Sequence, residues 1–242
     1  MAGKPIARGV DRKPERTVEK RARPDEIAAF LDRATALRAS GAGGGAGRLI
    51  FALDATMSRQ PTWDLATELQ GDMFDAAAKV GGLEVQLVYF RGRGETKASK
   101  WTADAARLAA MMRRIRCEGG LTQIGRVLGH AGAEARAHPV AALALVGDSM
   151  EEPFADLAAR AGELRLLGVR AFCFQEGADP AAGEAFREIA RITGGAYAPF
   201  DAGAAAELRA LLGAAAAYAA GGLKALEARA DGASRRLLGD LR

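Results

Sequence analysis

The stretch Arg48-Leu49-Ile50-Phe51-Ala52-Leu53-Asp54-Ala55-Thr56-Met57-Ser58 decides how this chain folds. Its first half is a short, unbroken apolar run that stops at an acid. Such a run is too short for a core helix and reads as a strand buried on both faces. Its second half sets oxygen-bearing side chains at alternate positions, Asp54, Thr56 and Ser58. A loop that curls there turns them toward one point. A second run, Val140-Ala141-Ala142-Leu143-Ala144-Leu145-Val146-Gly147, stops in the same way at Asp148.

Outward from these two runs the periodicity alternates. Residues 62–79 carry helical spacing through Trp63, Leu65, Leu69, Phe74 and Ala77. Residues 83–90 alternate as a strand, Arg91-Gly92-Arg93-Gly94 forms a turn, and 96–101 is its hairpin partner. Helices are predicted at 103–116 and 122–137. After the 140–147 strand come a helix at 153–167, a strand at 169–174, a helix at 180–193 opened by Pro180, a strand at 196–200 and a helix at 202–219. This order predicts an α/β fold of the Rossmann-like, doubly wound kind. It has a mostly parallel six-stranded sheet, one antiparallel edge strand, and helices on both faces. Ligands of such sheets bind at the carboxyl ends of the strands.

Four regions are expected. Residues 1–24 read as a basic disordered tail, and 25–46 as a helix followed by a glycine-rich linker. Residues 47–219 form the domain, and 220–242 a charged helical tail. The N-terminal helix and the C-terminal tail flank the domain and are expected to pack together. The 242 residues suit one domain of ordinary size with appendages. A net charge of +4, concentrated between Lys4 and Arg23, does not make nucleic acid the expected partner. Only two cysteines, Cys117 and Cys173, are present, and they do not form a close pair; a disulfide framework is excluded. No apolar stretch follows the basic N-terminus and none is long enough to span a bilayer, so the expected location is cytoplasmic.

Carboxylate and hydroxyl oxygens are the donors a hard divalent cation prefers. Asp-Ala-Thr-Met-Ser after an apolar strand resembles the Asp-x-Ser-x-Ser signature of the von Willebrand factor type A domain. Gly119-Gly120-Leu121-Thr122-Gln123-Ile124-Gly125 resembles that family's glycine-threonine loop, and Leu145-Val146-Gly147-Asp148 its later strand ending in aspartate. Leu166-Leu167-Gly168-Val169 and Ile189–Tyr197 have the character of its last strands. The resemblance covers about residues 47–219. It implies a metal-ion-dependent adhesion site, in a protein of the bacterial intracellular type, formed by Asp54, Thr56, Ser58, Thr122 and Asp148. Thr56 and Ser58 would bind directly, Thr122 directly or through water, and the two aspartates mainly through water. Thr56 departs from the usual serine but keeps the hydroxyl, and Ser149 stands where glycine is common. Mg²⁺ is the implied ion, with Mn²⁺ or Ca²⁺ as alternatives.

The function this implies is an adaptor that captures an exposed acidic residue of a protein partner through the bound cation. Arg59, Arg91 and Arg93 would form a basic rim favouring that partner. A metal-free scaffold is the alternative. A phosphatase using Asp54 as nucleophile is a further one, but the second aspartate such enzymes carry two residues on is Thr56 here. No catalytic residue is expected. His130 and His138 lack a partner at metal spacing. Glu118, Glu151 and Glu152 lie in or near the same loops without an assigned place.

Overall fold

A computed structural model describes residues 46–78, 80–201 and 204–241. The basic stretch 1–24 and the helix and linker expected before residue 46 lie outside the described residues. The sheet has six strands in the order β3-β2-β1-β4-β5-β6. They are β1 (Gly47–Asp54), β2 (Leu83–Arg91), β3 (Glu95–Ala98), β4 (Ala142–Gly147), β5 (Arg170–Glu176) and β6 (Ala196–Phe200). All neighbours pair parallel except β3, which runs antiparallel to β2 at the edge.

The seven helices among the described residues are α1 (Gln60–Ala78), α2 (Ala105–Met112), α3 (Ile124–Ala137), α4 (Phe154–Leu166), α5 (Pro180–Thr193), α6 (Ala205–Arg229) and α7 (Gly232–Asp240). Side chains alternate across a strand, so β1 feeds two cores. Leu49, Phe51 and Leu53 pack with Trp63, Met73, Leu108, Leu212 and the alanines of α6. Ile50 and Ala52 face Val127, Leu128, Leu157, Leu164 and Phe186 on the other side of the sheet. This two-sided burial is why the central strands are apolar without a polar stripe. Among the described residues, no helix is long and apolar enough to cross a membrane.

The boundaries move where local chemistry intervenes. The helix expected at 103–116 is only Ala105–Met112: Asp104 caps it by accepting from the Arg107 N–H at 3.1 Å, and the basic run after it is irregular. The helix expected from residue 122 starts at Ile124, after Gln123, whose backbone is non-helical at φ −138° and ψ 43°. The hairpin partner is Glu95–Ala98 rather than 96–101. At α5, Asp179 accepts from the Ala182 N–H at 2.7 Å, Pro180 fills the first turn, and Gly194 ends the helix at φ 68°.

The largest difference is at the C-terminus. α6 continues to Arg229 through a kink at Gly221 and Gly222. Leu226 and Leu237 are fully buried in the α1 side of the core. α7 lies along the outer edge of β6: Asp240 accepts from the Tyr197 N–H at 3.0 Å, and Arg236 donates to the Pro199 carbonyl at 3.1 Å. The segment expected as a charged tail is thus packed against the domain.

Candidate metal centre

β1, β4 and β5 are adjacent and parallel, so their carboxyl ends open on one edge of the sheet. Asp54 is the last residue of β1, Asp148 follows the last residue of β4, and Glu176 is the last residue of β5. Residues Met57–Arg59 then form a 3-10 turn that leads into α1. The Glu118–Gln123 loop is tied to the same edge by the Glu118 N–H, which donates to the Ala55 carbonyl at 3.0 Å.

Asp54 is 1% exposed. Its Oδ1 accepts from the Thr56 N–H at 2.7 Å, and the Thr56 side chain also hydrogen-bonds the carboxylate. Among the described residues its Oδ2 is buried with no hydrogen-bond partner. Burial pushes the Asp54 pKa up to about 6, against the bonds from Thr56, with Asp148 adding to the rise and Arg59 opposing it. Asp148 is half-buried and accepts from the Ser149 hydroxyl at 3.2 Å. The Ser58 side chain lies outside the described part of the structure.

Thr122 is buried and held by Glu151. Its hydroxyl donates to Glu151 Oε2 at 2.7 Å, its N–H donates to the same oxygen at 3.0 Å, and the Glu151 N–H donates back to Thr122 Oγ1 at 3.2 Å. Beside it, Glu152 accepts from the backbone N–H groups of Ile124 and Gly125, capping α3 from the β4–α4 loop. A hydroxyl that donates once and accepts once keeps one lone pair. Thr122 therefore keeps one acceptor position while Glu151 fixes its orientation.

Sequence reasoning missed two residues here. Arg59, expected on a solvated rim, is 2% exposed, so it is no part of such a rim. Its Nη1 pairs with Glu176, which also accepts from the Thr62 hydroxyl, and lies 3.9 Å from Asp148 Oδ2. At that separation a unit charge pair is worth about 4 kcal/mol at the effective dielectric of a protein site. Burial pulls the Arg59 pKa down, against Asp148 and Asp54. Its Nε and Nη2 have no partner among the described residues. Glu176 was overlooked because the apolar run ends two residues earlier, at Phe174. Arg91 is tied to Glu95 and Glu118, at 3.1 and 3.0 Å; Arg93 is exposed.

The donor set fits a hard divalent cation in kind. It offers the unpartnered Asp54 oxygen, Asp148, and the hydroxyls of Thr56 and Thr122. Among the described residues no group of three or more His, Cys, Asp or Glu could hold a metal ion, so a cation here depends on the hydroxyl oxygens as well.

No protein-family model and no curated protein matches the sequence. Solved structures do resemble it. The SpRpn10 VWA domain superposes with a TM-score of 0.54 at 10% identity, over 66% of this chain and 90% of that one. An aerotolerance-related membrane protein from Bacteroides fragilis gives 0.55 at 19% identity, over 71% and 98%. Proximal thread matrix protein 1 from the mussel byssus, in a structure with a zinc-occupied MIDAS motif, gives 0.57 at 18%, over 72% of this chain and 45% of that one. The fold is that of a von Willebrand factor type A domain.

Proposed function

We propose that this domain is a protein-interaction module that binds a divalent cation, Mg²⁺ by preference, at Asp54, Thr56, Ser58, Thr122 and Asp148, and uses it to capture an acidic residue of a partner. The observation that carries the reading is the Asp54 carboxylate: it is buried at the meeting point of the loops, with one oxygen unpartnered among the described residues. A buried carboxylate oxygen without a hydrogen-bond partner is costly, and a bound cation would satisfy it. When bound, such an ion supplies an electrophilic position that a carboxylate can fill.

The surface around it suits a macromolecule. Met57 is 67% exposed and Leu121 63%, one on each of two site loops, and Phe154 stands partly exposed where the third loop enters α4. These are three of the six large apolar side chains exposed among the described residues. Apolar groups gathered round a polar centre mark contact surfaces. That a structure of this fold holds zinc in its MIDAS motif supports the reading. An adaptor working in the cytoplasm is the setting we propose.

The test is calorimetric titration of Mg²⁺ and Mn²⁺ into chelator-treated protein. One saturable site is expected, lost in Asp54→Ala. A wild-type chain that takes up neither ion would overturn the metal-dependent reading and favour a metal-free scaffold.

A further inference from the structure

We propose that Arg59 is a resident cation of this site. Its guanidinium holds Asp148 and Glu176 while no divalent ion is bound, and a divalent ion binds against it. The proposal rests on the metal-dependent reading above and adds a residue that governs it.

Three observations carry it. Arg59 stands one residue after the Asp54–Ser58 stretch, yet its side chain is buried, pairs with Glu176 and lies 3.9 Å from Asp148. A guanidinium is removed from water only where carboxylates compensate it. Its compensation is incomplete: Nε and Nη2 are buried without partners, as is Asp54 Oδ2, among the described residues. The site therefore holds an under-used positive group beside an under-used negative one.

The charges of the cluster also close around a divalent ion. Asp54, Asp148 and Glu176 carry three negative charges when ionised and Arg59 carries one positive, leaving two to be cancelled. Without Arg59 three would remain. Arg59 thus lowers the attraction of the site for a cation, and it also keeps the carboxylates from repelling one another when the cation leaves. The outcome is a site that loads and unloads its ion while the fold stays intact.

The experiment compares wild type with Arg59→Met, which keeps bulk but removes the charge. Mn²⁺ affinity is measured by calorimetry, and Tm is measured in chelator and in excess Mn²⁺. Arg59→Met is expected to bind Mn²⁺ roughly ten-fold more tightly. Its Tm should fall below wild type in chelator and recover further on adding Mn²⁺. Arg59→Gln keeps a donor for Glu176 and serves if the methionine variant does not fold; it too should bind more tightly. A purely structural role for Arg59 would lower Tm without raising affinity. Folded variants whose Mn²⁺ affinity is unchanged or weaker overturn the proposal. If wild type takes up no Mn²⁺ and the variants do, the native metal-dependent reading fails while the role of Arg59 stands. If none of them binds, both fail.

Discussion

Asp54 shows how burial converts a carboxylate into a demand for a partner. Its pKa is about 6 in the folded chain against 3.8 for the free group, with burial as the leading cause. Because the folded value is the higher one, the folded state favours the protonated acid. Stability from this group is greatest below pH 3.8, declines as pH rises to about 6, and is fully lost above it. The difference amounts to about 3 kcal/mol. Asp54→Asn should therefore raise the Tm in chelator at pH 7 by at least 2–4 °C, as about 1 kcal/mol does in a chain of this size, and by progressively less toward pH 4. Thermal unfolding across that range checks it; an advantage independent of pH would mean the carboxylate is not the source. The closeness of Asp54 and Thr56 was legible in the sequence, since an aspartate side chain readily accepts from the N–H two residues on. Arg59 and Glu176 were not. An arginine just before a helix and a glutamate past the end of an apolar run both read as solvated, and only the packing of β4 between β1 and β5 buries them together.

The loop between α2 and α3 makes the same point one level up. Its two glycines look alike in the sequence, but they differ in surroundings. A Cβ on Gly120 would sit 2.2 Å from the Gly92 carbonyl oxygen in the β2–β3 turn, while one on Gly119 meets nothing within 4 Å. Gly120 lets two backbones pass, and the Leu121 N–H uses that closeness to donate to the Gly92 carbonyl at 3.3 Å. Gly120→Ala should therefore displace the loop that presents Thr122 and cost about 1–3 kcal/mol. Gly119→Ala should stay within about 0.5 kcal/mol of wild type. Paired denaturant titrations would show it, and equal effects would refute the assignment. Periodicity and turn signals gave the order and type of the six strands and of the helices as far as the start of α6. It could not place Glu151 and Glu152, because the groups they satisfy lie almost thirty positions away in sequence.

At the scale of the molecule, the C-terminal helices belong to the core. The charges at Lys224, Glu227, Arg229, Arg235 and Arg236 mask a sparse apolar stripe of which Leu226 and Leu237 are the buried members. That sparseness is why composition suggested a tail. Leu237→Ala should cost about 2–5 kcal/mol, as emptying a filled core position does, and a Tm unchanged from wild type would return α7 to the status of an appendage. The position of α7 has one more consequence. β6 is the last strand of the sheet, and Asp240 and Arg236 occupy hydrogen-bonding groups on the side that no strand covers. Pro199 already removes one donor from that strand. Were the helix cut away by a protease, the bared rim would become a template on which a second molecule could lay its own strand.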